Sequence, residues 1–347
     1  MQTLRFDKYF SECISGNLLH NRLNLKFKPA EKWIIAAEAR NRIFWGEEIK
    51  MDPDYAQRLR NRSERWNLSV TWVDRPGFLV HSNTERLWVE YREKKWNLRA
   101  GRQRINWGMA TTWNPNDIFN SYNFLDFDYE ERPGSDAAKL QYQVSDFSSA
   151  ELAVAMVGEQ DQIIGALHYL FHTGNYDIQL VGGWFRDRIT LGSGWAGSIS
   201  DAGFRGEIQY FVPVSDSGSR IALTVESDYA FRNGWYVNAG ILFNSAGLHR
   251  PVSDWTEVDL DLSPENLMPT KWNFLAGASK DLTALFNGRF TAVYSPGVNM
   301  LILFPALQYN LVTNLDASFN WQSYFAQSGG RFQAVTHMAF IRIRWSF

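Results

Sequence analysis

The 347-residue sequence predicts an all-β chain. It reads as a single transmembrane antiparallel β-barrel of about 18 strands, 16 on a stricter count, with the N-terminal strand closing on the C-terminal strand. Three observations predict this. Apolar and polar residues alternate with period 2 in segment after segment from Leu18 onward, so successive side chains take opposite faces. Aromatics are 15% of the chain, and several (Tyr176, Trp184, Trp235, Tyr294, Trp345) stand near the ends of apolar faces, where membrane interfaces would place girdles. Mean hydropathy is −0.32, and no stretch approaches the roughly 18 apolar residues of a spanning helix. A barrel reconciles a polar average with a membrane, because only alternate residues meet lipid.

The strand segments follow in order. Residues 19–27 alternate Leu19, Leu23, Leu25 and Phe27 with His20, Arg22, Asn24 and Lys26. In 33–44, Glu38, Arg40 and Arg42 oppose Ile35, Ala37, Ala39 and Ile43. Segments 66–73, 79–92 and 97–105 come next, followed by 137–144, 150–157, 163–171, 176–185, 189–196 and 204–211. The set ends with 220–230, 235–243, 272–279, 286–294, 299–309, 314–323 and 335–347. Thr173-Gly174-Asn175, Asn233-Gly234, Pro296-Gly297 and Gly329-Gly330 supply turn chemistry between them. The whole of 1–347 reads as one domain, with 1–13 as a periplasmic N-terminal segment. Long polar stretches at 107–134 and 249–268 fall on the outer side. By the same count 46–65 falls on the periplasmic side, where turns are short. Either that stretch is a periplasmic helix, or the count slips by one between residues 66 and 92.

The last segment is the clearest. Ile341, Ile343, Trp345 and Phe347 face one way, and Arg342, Arg344 and Ser346 the other. Ending on an aromatic residue inside a strand, it resembles the closing strand of a bacterial outer-membrane β-barrel. The resemblance implies an outer-membrane location, a surround of outer-membrane lipid and lipopolysaccharide, and recognition of the C-terminal strand by the barrel-insertion machinery. Pairing of this strand with the first, near 19–27, would leave the sheet without an edge.

A soluble sandwich also alternates, but it buries its apolar face, whereas a large membrane barrel turns that face to lipid and keeps a polar lumen. The polar faces carry both signs at strand centres. The expected pore-lining residues are Arg22, Arg40, Arg42, Arg86, Arg99, Arg205, Glu207, Arg220, Glu226, Asp228, Arg289, Asp316, Arg342 and Arg344. Cations exceed anions on this face although the chain carries a net charge of −2. A cationic wall would concentrate anionic solutes. The alternative is that these charges pair across strands and merely fill the lumen.

The most distinctive local sequence is Gly101-Arg102-Gln103, then Trp107-Gly108 and Asn114-Pro115-Asn116-Asp117. With the strand around Glu85–Tyr91, it resembles porin-like outer-membrane families, the alginate-export-type and related substrate-selective barrels. The resemblance implies that 107–134 either caps the pore from outside or folds into it. In that segment Asp117, Asp126, Asp128 and Glu130 are candidate constriction residues, set beside aromatics that could stack on sugars.

The expected function is a passive channel for small hydrophilic solutes, anionic or sugar-like. The alternative is a non-conducting barrel that serves an envelope complex as a structural or interaction subunit, with envelope proteins as partners. Catalysis is not expected: His81 and Ser82 are adjacent on a strand and point apart. No cofactor or metal is expected, since the histidines lack ligand spacing and Cys13 is alone. The balanced charge and missing basic-aromatic stripe argue against nucleic acid.

Overall fold

The computed structural model describes residues 1–346 except 60–63, 121–133, 159–161, 216–217 and 253–261. Its strands form one antiparallel sheet. The first are β1 (Gln2–Asp7), β2 (Cys13–Ala30), β3 (Trp33–Gly46), β4 (Ser69–Arg75), β5 (Phe78–Glu93) and β6 (Trp96–Gln103). Then come β7 (Ser135–Ser145), β8 (Ser148–Val157), β9 (Gln162–Thr173), β10 (Tyr176–Phe185), β11 (Arg188–Ile199), β12 (Ala202–Pro213) and β13 (Arg220–Ala230). The last are β14 (Trp235–Asn244), β15 (Trp272–Thr283), β16 (Phe286–Ser295), β17 (Met300–Val312), β18 (Leu315–Ser328) and β19 (Arg331–Trp345). Two short helices, α1 (Glu47–Met51) and α2 (Tyr55–Arg58), follow β3.

The wall is a closed barrel of 18 strands. β3 pairs directly with β5 from Trp33↔Tyr91 to Trp45↔Phe78, so β4 does not stand between them. β4 lies instead against the Phe78–Asn83 half of β5, beyond the point where β6 stops. This settles the expected ambiguity. The segment read as a spanning strand at 66–73 is a short flap, the count slips by one there, and 47–68 leaves the wall at the same end as the other long loops. Alternation in 66–73 was real, but alternation does not say whether a strand crosses the whole wall.

Closure is also corrected in detail. The strand that meets β19 is β1, paired from Gln2↔Ile341 to Asp7↔Thr336. It pairs on its other side with β2, from Gln2↔Asn17 to Phe6↔Cys13. Residues 19–27 therefore do not form the seam with β19, and the 1–13 segment expected to be periplasmic contains a wall strand. Six residues of Gln-Thr-Leu-Arg-Phe-Asp alternate as a strand should, but too briefly to stand out from an irregular terminus.

One end of the barrel carries only short turns: at 31–32, 94–95, 146–147, 174–175, 200–201, 231–234, 284–285 and 313–314. Positive φ at Gly174 (60°) and Asn314 (65°) shows why Gly and Asn occupy them. The other end carries the long connections 47–68, 104–134 and 245–271. Outside, Leu19, Leu23, Leu25 and Phe27 on β2 are exposed, as are Leu152, Val154 and Met156 on β8 and Ile341, Ile343 and Trp345 on β19. An apolar band running round the whole surface exceeds any patch a soluble monomer tolerates. Aromatic pairs bracket it: Trp33–Tyr91 (5.0 Å) and Trp96–Tyr142 (4.3 Å) at the turn end, Phe243–Trp272 (4.6 Å) at the loop end. From position 33 to 45 on β3 is about 40 Å of strand, or about 28 Å of height at a tilt of about 45°, close to the roughly 25 Å apolar band of such barrels. Phe347 lies outside the described residues.

Candidate functional site

The Gly-Arg-Gln motif ends β6 midway up the wall. Gly101 has φ +116°, and a Cβ there would sit 2.2 Å from the Leu87 carbonyl oxygen. Only glycine allows β6 that close to β5. Arg102 is 2% exposed. Its Nε and Nη2 donate to the two Asp136 oxygens at 2.9 Å each, and Nη1 donates to the Thr84 carbonyl at 3.0 Å and lies 2.8 Å from Glu64. Nη2 also donates to the Trp66 carbonyl. Asp136 accepts in turn from the Arg65 and Trp66 N–H groups at 2.9 and 3.0 Å. Gln103 donates to the Ala137 carbonyl at 3.0 Å. The motif thus clamps the descending 64–66 segment and the start of β7 onto β6. Its role is architectural, and no solute contact is needed to explain it. Gly101→Ala is expected to add about 1–3 kcal/mol of backbone strain on top of this clash. Loss of folded, heat-modifiable barrel on refolding is the measurement, and a refolding yield equal to that of the parent would contradict the assignment.

Beyond Gln103 the chain turns into the barrel. Of the two expected placements of 107–134, cap or inward fold, the described part, 104–120, folds inward. Trp107 stacks on His168 of β9 (5.0 Å between rings) and donates Nε1–H to Glu151 of β8 at 3.1 Å. Glu207 of β12 accepts from the N–H groups of Met109, Ala110 (2.7 Å) and Asn116 (2.9 Å). Glu226 of β13 accepts from those of Thr111 (2.7 Å), Thr112 (2.9 Å) and Trp113 (3.3 Å), and from the Thr111 hydroxyl. Two buried carboxylates thereby satisfy six backbone donors of an irregular segment. Trp113, 1% exposed, packs with Leu242, Leu267, Met268 and Leu275.

A second loop reinforces the fill. Glu265 lies 3.1 Å from Arg188 of β11 and 3.4 Å from Arg220 of β13. Asn244 donates to Asn266 and to the Met268 carbonyl, both at 2.8 Å. Glu207, Glu226 and Arg220, read from the sequence as pore-lining, contact the inserted loops and seat them. Asp117 is 1% exposed within the folded loop. Asp126, Asp128 and Glu130 lie outside the described residues.

The opposite sector, formed by β19, β1, β2, β3 and the adjoining part of β5, carries the arginines. Arg22 and Arg40 lie 3.8 and 3.6 Å from Glu85, and Arg22 also pairs with Glu38. Arg42 sits over the Phe44 ring at 5.5 Å. Arg5 bonds Glu48 at 2.9 Å, and Arg344 bonds Asp316 at 3.0 Å. Arg86 is buried, and Arg342 lines the same wall. Guanidinium groups outnumber carboxylates here, although several are paired. Between this wall and the α1–α2 segment is a cavity of about 280 Å³, lined by Arg5, Arg40, Arg42, Phe44, Tyr55 and Phe340.

The structure thus gathers Arg22, Arg40, Arg42, Arg86, Arg342, Arg344 and Asp316 in one sector. It places Arg99 against Glu90 and over the Trp88 ring (4.2 Å), Arg205 with Asp228 (2.6 Å) on the far wall, and Arg289 exposed near the turn end. Sequence reasoning left out Arg5, hidden in the short first strand, and Glu85. Strict alternation would put Glu85 opposite Arg86. A bulge between Glu38 and Ala39 of β3 and their partners Arg86 and Thr84 brings Glu85 to the luminal side instead.

No family model matches this chain, and no curated protein matches it in sequence. Solved structures do. Acinetobacter baumannii OccAB4 superposes with a TM-score of 0.57 at 10% identity, over 99% of this chain and 97% of that one. Pseudomonas aeruginosa OccK10 (OpdN) gives 0.56 at 12% identity, over 100% and 97%. Pseudomonas aeruginosa OpdL gives 0.57 at 11%, over 99% and 96%. The chain has the fold of these Occ and Opd proteins, a closed antiparallel β-barrel of 18 strands.

Proposed function

We propose that this chain is a passive channel of the outer membrane for small hydrophilic solutes, with anionic solutes preferred. One observation carries the reading: a luminal sector rich in arginine stands opposite a sector filled by two seated loops. Filling one side narrows the path and drives a solute along the cationic side. Guanidinium donors there replace part of an anion's hydration shell. Spreading that attraction over several sites lets a solute enter without being trapped. Sugar-like solutes belong to the same small, hydrophilic class. Outer-membrane lipid, lipopolysaccharide and the insertion machinery are the partners that this location implies.

Liposome flux tests the reading with two monosaccharides of equal size, one acidic and one neutral. Faster entry of the acidic sugar is expected, and equal rates would remove the anion preference. Arg42→Glu, which reverses a charge in the 280 Å³ cavity, is expected to slow the acidic sugar while leaving the neutral one near its parent rate. Slowing of both alike would mean a blocked or misfolded pore.

The filled lumen also supports a second reading, a non-conducting barrel that offers loops and outer wall to envelope partners. Absence of flux for every small solute would favour it.

A further inference from the structure

The outer wall of β2, β3 and β5 carries a polar patch in the band that faces lipid. Alternation puts Asn21 of β2, Asn41 of β3 and Ser82 of β5 on the outward face, among Leu19, Leu23 and Ile43. The ladders set the three polar residues side by side, Asn21↔Asn41 and Asn41↔Ser82. Ser82 donates its hydroxyl to Asn41 Oδ1 at 2.7 Å and accepts from the Trp72 Nε1–H of the flap at 2.9 Å. The Asn41 Nδ2 group has no acceptor among the described residues. Its depth makes that costly. From 41 to 45 on β3, at a rise of about 3.3 Å and a tilt of about 45°, Asn41 lies about 9 Å inside the loop-end aromatic ring that Trp45 joins. Water and headgroups lie at and beyond that ring, and a polar group without a partner in hydrocarbon costs several kcal/mol. The rest of the wall avoids this. From β6 to β19 no carboxamide faces outward between the aromatic rings among the described residues, and the outward Ser227 hydroxyl donates to the Gly203 carbonyl at 2.9 Å.

A carboxamide carries donors and an acceptor, so an identical patch complements this one. Two barrels in one membrane share one orientation, which restricts the axis that relates them to the membrane normal. Only a two-fold axis then sets the patch against itself, at equal depth. A three-fold ring would set it against a different face, and no face from β6 to β19 offers a carboxamide. Ala39 and Thr84, directly opposite each other beside the patch, are small enough for two walls to approach closely. We propose that this face is a homodimer interface: two copies of the chain meet at β2, β3 and β5 about a two-fold axis along the membrane normal, and each Asn41 donates to a carboxamide of the second copy. The two lumens stay separate, so the pairing is independent of which solutes the channel passes.

The test uses the full chain in a phospholipid bilayer at a low ratio of protein to lipid. Native mass spectrometry of protein released from that bilayer is expected to show two copies. In a Cys13→Ser background, oxidation of Asn41→Cys should join copy to copy, whereas Leu152→Cys, exposed on the lipid face of β8, should join few. Combining Asn21→Leu with Asn41→Leu makes the patch apolar, and lipid then covers it as well as protein does. That variant should keep its heat-modifiable fold and lose dimer several-fold. A single copy or three copies by mass would overturn the interface. So would equal cross-linking at 41 and 152, or a folded double variant with an unchanged dimer fraction.

Discussion

Replacing both Glu207 and Glu226 with Gln is expected to release the 109–116 segment from the lumen while the barrel itself stays folded. Each carboxylate accepts three backbone N–H groups. An amide has one acceptor oxygen, and it turns an NH₂ toward the remaining donors. The amide oxygen can keep the two donors that share one carboxylate oxygen, so each substitution orphans one, at about 1–3 kcal/mol, and the pair together cost about 2–6 kcal/mol. Burial of Trp113 opposes release, but by only about 3 kcal/mol. A single substitution is therefore near balance, and the double substitution tips it. Chymotrypsin should then cut at Trp113 and Phe119, both buried in the parent, and single-channel conductance should rise as the filled sector empties. Unchanged protection of both sites would mean that apolar packing, and not the two carboxylates, seats the loop.

Arg102→Ala carries the second large effect, here on stability. The guanidinium is shared among Asp136, Glu64 and two backbone carbonyls, all deep in the wall. Its removal leaves two buried carboxylates without the guanidinium that balances their charge, which costs about 3–5 kcal/mol. Arg102→Lys should recover little, because one ammonium cannot reproduce a planar fork that addresses four acceptors. Combining Arg102→Met with Asp136→Asn should recover part of the loss by removing one charge along with its partner. Outer-membrane barrels are often trapped kinetically, so the fitting readout is the half-time for losing heat-modifiable migration at a fixed temperature. Equal half-times for Arg102→Ala and the parent would contradict the clamp.

Much of the architecture was legible because it rests on properties that single strands possess. Alternation in β2, β13 and β19 separates lipid-facing from luminal residues whatever their neighbours, so the apolar band, the luminal arginines and a closed barrel could all be read from the residues. Features that depend on two strands could not. The bulge that turns Glu85 inward exists only in the pairing of β3 with β5. The flap β4 has the alternation of a wall strand and fails to be one because β3 has already taken that edge of β5. The short β1 has too few residues for a periodic signal, and it carries Arg5 into the lumen. For the site, alternation sorted the charges by face and gave no guide to their partners. Glu207 and Glu226 look like pore-lining acids until the 104–120 segment is laid over them. Arg102, flagged through its motif, proves to hold the wall together.

A path along the arginine sector is expected to favour anions. Planar-bilayer recording of the purified chain under a potassium chloride gradient tests it most directly. Discrete conductance steps with a reversal potential of anion-selective sign, shifted toward cations by Arg42→Glu, are the expected result. A reversal potential of cation-selective sign, or a correctly folded barrel that conducts nothing, would contradict it.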